Sequence, residues 1–224
     1  MLQVLDVSAH NRGFRVEGIS FELGAGEIGA LMGRSGSGKT TLMKVLAGVK
    51  APDHGRVLVA GNDAHRRSRR GVQQYLLRET GIVHQHPRPF PGLTTIQYAA
   101  TRLMSCRMKP DAAMRQVEPL LERLGLRREL HKPAGSLSGG ELQRVDLVLA
   151  MSTAPLVLFA DEPTGSLDSA TGETVLSFIQ ELACEKNTSV LIATHDPAVE
   201  AISDKVFRLT DGRLGSQEQQ ELLG

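Results

Sequence analysis

The most informative part of this sequence for its fold is "GRSGSGKT", residues 33–40. It follows the strand-like run "IGALM" and leads into "TLMKVLAG", which has the apolar spacing of a helix. A loop of the form G-x-x-x-x-G-K-[ST] in this context is typical of phosphate binding, because its glycines let main-chain N–H groups surround phosphate oxygens at a helix N-terminus. We expect Lys39 to reach the β- and γ-phosphates of a nucleotide and Thr40 to ligate Mg²⁺. The alternative, a chance flexible turn, leaves the matching strand and helix unexplained.

A second stretch, "PLVLFADEP", supplies acidic partners for that loop. Its continuous apolar run predicts a buried parallel strand, which places Asp161 and Glu162 at the carboxyl edge of the sheet. We expect Asp161 to hold the Mg²⁺ shell and Glu162 to polarise a water for attack on the γ-phosphate. Two acidic residues alone are typical of a solvated strand end, and the phosphate loop is what favours catalysis.

The rest of the chain alternates between strand-like and helix-like patterns. Apolar and polar residues alternate in "EGISFEL", residues 17–23, as in a half-buried strand. Residues 95–151 have helical spacing, and Pro119 is expected to bend or split one helix. "TSVLIATHD" predicts a second buried strand and "KVFRLTDGRL" a closing hairpin. We predict an α/β fold with a mixed, mostly parallel sheet, an N-terminal antiparallel β region and an inserted helical subdomain.

Composition argues against several classes of protein. A chain of 224 residues with 41% hydrophobic content can bury a substantial core as one domain. Its net charge of +1 gives no support for a nucleic-acid or membrane-surface binder. Cys106 and Cys184 are expected to be reduced thiols. "MLQVLDVSAH" lacks a signal-peptide pattern, and no window approaches the roughly 18 apolar residues of a membrane span, so we expect any membrane role to come through a partner.

A second glycine-containing stretch, "LSGGE", residues 137–141, has the pattern of a capped helix start. Ser138 with Glu141 three residues later forms a predicted capping box. The N–H groups of Gly139 and Gly140 would then face outward as a second anion site. From local physics alone, an ordinary helix cap is the simpler interpretation.

The order and spacing of these motifs resemble the nucleotide-binding subunit of an ABC (ATP-binding cassette) transporter over nearly the whole chain. "GRSGSGKT" is similar to the family's Walker A motif, "LVLFADE" to Walker B and "LSGGE" to the family signature. "SLD" resembles the D-loop, "ATHD" the switch-histidine segment and "GIVHQHP" the Q-loop. "DEPTGSLD", "LSGGELQRV" and "PGLTTIQYAA" most resemble the subgroup that serves lipoprotein release, macrolide-type export and cell division.

This resemblance implies an ABC ATPase fold, a P-loop NTPase core that hydrolyses ATP with Mg²⁺. It implies one domain over residues 1–224, with the nucleotide-binding core at about 1–87 and 155–224 and a helical signature subdomain at about 88–154. The implied partners are ATP, a second cassette in a head-to-tail homodimer or pseudo-dimer, and a separate transmembrane permease subunit, with no nucleic acid. The implied location is the cytoplasmic face of the inner (plasma) membrane.

The resemblance also implies roles for individual residues. The catalytic set is Glu162, His195 and Gln85, and the metal set is Thr40, Gln85 and Asp161. The nucleotide-binding set comprises Gly33, Arg34, Ser35, Gly36, Ser37, Gly38, Lys39, Thr40 and Thr41 on one chain, with Ser138, Gly139, Gly140 and Asp168 acting across the dimer. In that scheme His195 steadies the attacking water, Gln85 relays nucleotide state to the permease, and Asp168 couples the two sites.

Two other functions compete with this one. A cassette could power a cytosolic assembly, such as an iron–sulfur assembly complex; a DNA-repair type is disfavoured because no coiled coil separates "GRSGSGKT" from "LSGGE". A third class, a binding module that uses ATP only to hold a dimer together, is disfavoured by the presence of Glu162.

Three features depart from the family pattern or stand apart from it. "SAHNRGF" has no Tyr to stack on adenine, which leaves His10 or Arg12 as candidates, with Phe14 one strand position too late. A metal pair formed by His84 and His86 is disfavoured, because no Cys or acidic ligand lies nearby in sequence. In "QRVDLVLAM" the acidic Asp146 stands in the helix where the family commonly has an Arg-Ala pair, and such a charge needs a partner or solvent.

Overall fold

The structure, a computed structural model, describes residues 1–11 and 14–215. The strands are β1 Leu2–Asn11, β2 Phe14–Leu23, β3 Ile28–Met32, β4 His54–Val59, β5 Asn62–Asp63, β6 Thr80–Val83, β7 Val157–Asp161, β8 Ser189–Thr194, β9 Lys205–Thr210 and β10 Arg213–Leu214. The α-helices are α1 Lys39–Leu46, α2 Arg69–Gln74, α3 Thr95–Ser105, α4 Pro110–Arg123, α5 Gly139–Met151, α6 Ser169–Lys186 and α7 Pro197–Ala201. A π-helical turn, Tyr75–Glu79, follows α2, and a 3-10 turn, Ala134–Ser136, precedes α5.

The N-terminal region forms an antiparallel sheet in the order β2-β1-β4-β5. Ile19, Phe21 and Leu23 on β2 are buried while Glu22 is partly exposed, so the predicted alternation is confirmed. β1 pairs with both β2 and β4, with Leu2 opposite Leu23 on one side. This sheet buries one face only, as its sequence pattern requires.

The second sheet has six strands in the order β10-β9-β3-β8-β7-β6. All its pairs are parallel except the closing hairpin of β9 and β10. In register, Met32 on β3 lies opposite Thr194 on β8, and Asp161 on β7 lies opposite Ala193. Strands β3, β7 and β8 therefore end at the same edge, and the segments that follow them meet there.

Alternate residues of the parallel strands face two separate cores. Leu31, Phe159 and Leu191 pack on the side that holds α1 and the antiparallel sheet. Leu158 and Ile192 pack on the other side, with α3, α4, α5 and α6. Both faces of the sheet are covered, which explains why its strands are continuous apolar runs in the sequence.

Helices α3, α4 and α5 pack against one another, and α5 also packs against β6. Helix α4 runs from Pro110 to Arg123 with Pro119 inside it, so the helix is not split there, and a bend at Pro119 stays a prediction. Pro119 is exposed, as is Arg115 one turn earlier, so the carbonyl that loses its helical N–H partner lies on the solvated face.

The predicted α/β architecture is confirmed, including its antiparallel N-terminal region. The division into residues 1–87, 88–154 and 155–224 stays a prediction. Within the described residues, no helix combines the length and apolarity that a membrane crossing requires.

Candidate functional site

A cavity of about 820 Å³ opens at the shared carboxyl edge of β3, β7 and β8. Its wall contains the predicted residues Gly33, Arg34, Ser35, Gly36, Gly38, Lys39, Thr40, Thr41, Gln85, Asp161, Glu162 and His195. His86, Gly165 and Ser166 also line it. Segments that are far apart in sequence therefore converge here because parallel strands end together.

The loop after β3 has a shape that only glycine allows at two positions. A Cβ atom on Gly33 would lie 2.5 Å from the carbonyl oxygen of Leu209 and 2.6 Å from Ser37 Oγ. Gly38 has a φ of 105°, in the left-handed region that side chains disfavour. The loop therefore turns tightly into α1, as the sequence pattern predicts.

Lys39 and Thr40 both sit at the first turn of α1 beside the cavity. Lys39 Nζ donates to the carbonyl oxygen of Gly33 at 2.6 Å, and Thr40 Oγ1 donates to Asp161 Oδ2 at 3.1 Å. The buried hydroxyl of Ser37 has no hydrogen-bond partner among the described residues. The N-terminus of α1 and the Lys39 ammonium group, which favour an anion, therefore lie beside the Thr40 hydroxyl and the Asp161 carboxylate, which favour a cation.

Asp161 and Glu162 mark the end of β7. Glu162 has a φ of 49°, a left-handed conformation that is costly outside glycine and common at functional sites. Burial raises the pKa of the Asp161 carboxyl, and the neighbouring Glu162 charge adds to the rise, while the Thr40 hydrogen bond and Lys39 oppose it. A bound cation would stabilise the ionised form of this carboxylate, which burial and the Glu162 charge disfavour.

Both carboxylate oxygens of Glu162 are held by the last residue of β8 and the residue that follows it. Glu162 Oε1 lies 2.9 Å from His195 Nδ1, and Thr194 Oγ1 donates to Glu162 Oε2 at 2.9 Å. The fully buried Thr194 hydroxyl also accepts from the Asp196 N–H at 3.0 Å. Sequence reasoning missed Thr194; its place beside His195 in "ATHD" is the signal that could have identified it.

Gln85 follows the end of β6, and Asp146 on α5 contacts the residue before it. The His84 N–H donates to Asp146 Oδ2 at 2.8 Å, and His84 Nδ1 lies 3.1 Å from the same oxygen. The side-chain hydrogen bond that His84 makes to the Asp146 carboxylate raises the pKa of His84, and burial opposes the rise. An acidic partner for His84 is therefore near in space although it is distant in sequence.

The signature residues lie outside the cavity. Ser138 Oγ accepts from the Glu141 N–H at 3.3 Å, and the Ser138 N–H donates to Glu141 Oε2 at 2.7 Å, so the predicted capping box is confirmed. Hydrogen bonds from Ser138 lower the pKa of Glu141. Ser138 and Gly139 are exposed and Gly140 is half-buried. The N-terminus of α5 therefore lies at the surface, outside the cavity that holds the chain's own phosphate loop.

Asp168 also lies outside the cavity, where it caps α6. Its Oδ1 accepts from the Thr171 N–H at 3.0 Å and its Oδ2 from the Thr171 hydroxyl at 2.7 Å. The Thr171 hydroxyl bond, followed by the backbone bond, lowers the pKa of Asp168. Of the adenine candidates, His10 contacts Asp53 at 2.6 Å and does not line the cavity, whereas Arg12 and the Phe14 side chain lie outside what the structure describes.

Comparisons with known proteins agree with this geometry. A family described as ABC transporter matches residues 16–165. The ABC transporter ATP-binding protein YtrE of Bacillus subtilis is 37% identical over 196 residues, which cover 88% of this chain and 85% of that protein. The lipoprotein-releasing system ATP-binding protein LolD 2 of Rhodopirellula baltica is 37% identical over 205 residues, which cover 89% and 80%.

Solved structures give the same result. The dimeric structure of MJ0796, a bacterial ABC transporter cassette, has a TM-score of 0.87 at 25% identity and covers 96% of both chains. The same cassette in a post-hydrolysis state bound to ADP and Pi matches equally well. The chain therefore belongs to the ABC transporter family, as an ATP-binding and ATP-hydrolysing subunit.

Proposed function

We propose that this chain binds Mg²⁺ and ATP in the cavity beside α1 and drives a separate transmembrane permease by closing head-to-tail on a second cassette. One observation carries the proposal. The phosphate loop is fully formed within the chain, whereas the capped N-terminus of α5 is exposed and does not line the cavity that holds this loop. Two half-sites that cannot meet within one chain can meet between two chains.

The residues that line the cavity suit a nucleotide with Mg²⁺. The N–H groups of the loop and the Lys39 ammonium would bind the phosphates. The Thr40 hydroxyl and the Asp161 carboxylate, 3.1 Å apart, with the Gln85 amide on the same wall, form the oxygen-rich set that Mg²⁺ prefers. When bound, the ion would neutralise charge on the β- and γ-oxygens.

Glu162 and His195 are placed for hydrolysis. We assign Glu162 to orient and polarise the attacking water, because its carboxylate lies on the cavity wall beside the phosphate loop. His195, whose side chain is 79% exposed, is free to turn from Glu162 toward a γ-phosphate. Thr194 would keep the carboxylate in place as the imidazole moves.

In the closed dimer, Ser138, Gly139 and Gly140 would cover the γ-phosphate held by the other chain. The exposed N–H groups at the start of α5 and the helix dipole behind them favour an anion. Asp168, exposed at the start of α6, would lie near the same interface and couple the two sites.

A membrane partner is supported by the relatives. LolD 2 is named as part of a lipoprotein-releasing system, and cbiO1 of Clostridium perfringens, with a TM-score of 0.83 at 29% identity, is described as part of an ABC transporter complex. We infer that this chain works at the cytoplasmic face of the inner membrane, in a system of the lipoprotein-release, macrolide-export and cell-division type.

The Glu162→Gln variant tests the proposal. It keeps the shape of the side chain and removes the charge that activates water, so ATP should bind, turnover should be lost, and an ATP-bound dimer should accumulate. Size-exclusion chromatography with and without ATP measures the dimer. A protein that stays monomeric with ATP while binding it would contradict head-to-tail closure.

The membrane coupling needs a second experiment. A tagged Glu162→Gln chain, purified from detergent-solubilised membranes with ATP, should bring a transmembrane protein with it. Recovery of soluble partners alone would instead indicate a cassette that powers a cytosolic assembly.

A further inference from the structure

Helix α5 carries two polar side chains that lie away from its exposed N-terminus and point to one residue, His84. Gln143 and Asp146 are three positions apart and so share one face of the helix. They are 3% and 1% exposed, which is unusual for an amide and a carboxylate. Buried polar groups of this kind need partners, and both find them on the segment that leads to Gln85.

The two side chains bind both main-chain polar groups of His84. Asp146 Oδ2 accepts from the His84 N–H at 2.8 Å, and Gln143 Nε2 donates to the His84 carbonyl oxygen at 3.0 Å. β6 ends at Val83, so His84 lies beyond the strand pairing that would otherwise satisfy these groups. We call this arrangement the His84 clamp.

Further donors compensate the buried Asp146 carboxylate. The His84 ring lies 3.1 Å from Oδ2, and the Tyr98 hydroxyl donates to Oδ1 at 3.5 Å. Burial, followed by the Asp146 charge, raises the pKa of Tyr98, which keeps its hydroxyl protonated as a donor. Asp146 thus joins α5, the end of β6 and α3.

We propose that Asp146, with Gln143, is a positioning residue that sets the place of Gln85 through the His84 clamp. The proposal rests on the function above, in which Gln85 contacts the nucleotide and its Mg²⁺. One helix then carries both the signature at its N-terminus and, about 9 Å further along from Gly140, the clamp that holds the Gln85 segment. The signature and Gln85 are therefore linked through one rigid element.

Four variants test the clamp. Asp146→Leu keeps the branch at Cγ, with bulkier methyl groups in place of the oxygens, and removes the acceptor, whereas Asp146→Asn keeps the size of the side chain and an oxygen that can accept from His84. Gln143→Met removes the donor to the His84 carbonyl. Tyr98→Phe is the control, because it removes a contact to Asp146 and leaves both clamp bonds in place.

The first readout needs no nucleotide: the exchange rate of the His84 amide hydrogen, followed by NMR. Asp146→Leu should speed this exchange by about tenfold or more, because its hydrogen bond is gone. Asp146→Asn and Tyr98→Phe should stay within about threefold of the unaltered chain. Unchanged exchange in Asp146→Leu would overturn the proposal.

The second readout is the Mg²⁺ concentration that gives half-maximal ATPase activity. Loss of a residue that orients a ligand typically costs about 10–100-fold, so Asp146→Leu should raise this concentration by that factor, with binding of a fluorescent ATP analogue unchanged. An equal rise in Tyr98→Phe would overturn the clamp, since that variant retains it. If Asp146→Leu fails to fold, Gln143→Met must shift both readouts in the same direction for the proposal to stand.

These outcomes separate the clamp from the proposed function. An unaltered chain without ATPase activity would contradict the proposed function, and the exchange measurement would still decide on the clamp. If the unaltered chain hydrolyses ATP normally and neither readout changes in the variants, the clamp is contradicted and the proposed function still stands.

Discussion

The phosphate loop and the signature are both glycine-containing loops at the start of a helix, yet they differ in what surrounds them. Around the phosphate loop, Lys39, Thr40 and Asp161 already contact one another or the loop itself inside a cavity of about 820 Å³. At the signature, Ser138 and Glu141 complete a capping box and the surface beyond it is open. The first has its binding groups assembled within one chain, whereas the second, in the function that we propose, needs another chain to complete it.

Because of this difference, substitutions in the two loops should affect different steps of the ATPase cycle. A substitution in the phosphate loop should lower the nucleotide affinity of a single chain. A substitution in the signature should leave the nucleotide affinity of a single chain unchanged and lower only the turnover that requires two chains. Variants that separate binding from turnover therefore test the comparison directly.

Lys39→Ala should have the largest effect. Removing charge-assisted hydrogen bonds to the phosphates should weaken nucleotide binding by about 100-fold, with loss of turnover. Titration with a fluorescent ATP analogue measures the affinity. Lys44→Ala, an exposed lysine of the same helix that does not line the cavity, is the matched control and should bind normally. Equal affinities in the two variants would remove the phosphate loop from the site.

Gly139→Asp should be selective for turnover. A Cβ atom on Gly139 meets nothing within 4 Å, so the chain should fold, and a carboxylate in the first turn of α5 favours the helix. The same charge should repel the γ-phosphate of the partner's ATP, so we expect ATPase activity to fall by about 100-fold or more at unchanged nucleotide affinity. Gly139→Ala, which adds no charge, should lose less. Normal turnover in Gly139→Asp would show that the signature does not face a phosphate.

A mixture of the two inactive variants tests whether one site is shared between two chains. A mixed dimer of Lys39→Ala and Gly139→Asp contains one composite site with an intact phosphate loop from one chain and an intact signature from the other. We expect part of the activity to return on mixing, in proportion to the mixed dimer. A mixture as inactive as its components would argue against sites shared between chains.

Local patterns in the sequence predicted most of the fold and the phosphate loop. The alternation in β2 and the glycines around Lys39 follow from short-range sterics and burial, which neighbouring residues reveal. Local patterns did not decide between a split and a bend at Pro119. Whether a proline disrupts a helix depends on the exposure of one carbonyl, which neighbouring residues do not reveal.

The contacts that could not be predicted join segments far apart in the chain. Thr194 reaches Glu162 across 32 residues, and Asp146 reaches His84 across 62. The sequence showed that Asp146 needed a partner, since its charge falls on an apolar helix, but gave no indication that the partner is a main-chain N–H beside Gln85. Such pairings depend on the parallel order of β6, β7 and β8.

The smallest predicted effect concerns stability and distinguishes a site built for a ligand from an ordinary surface. The folded-state pKa of Asp161 is raised above its unfolded value, so its ionisation is disfavoured on folding and stability is lost as pH rises through the folded pKa. Asp161→Asn keeps an acceptor for Thr40 and removes the charge. With chelator and without nucleotide, it should stabilise the chain by about 1 kcal/mol at neutral pH, and the gain should vanish below the ordinary carboxyl pKa.

Asp211→Asn, on the exposed hairpin turn, should leave the melting temperature unchanged. Thermal unfolding across pH measures both, and a destabilised Asp161→Asn at neutral pH would mean that this carboxylate is already satisfied without a cation. The signature has no buried charge of this kind, so only the phosphate-loop half should be more stable once its ligand-binding charge is removed.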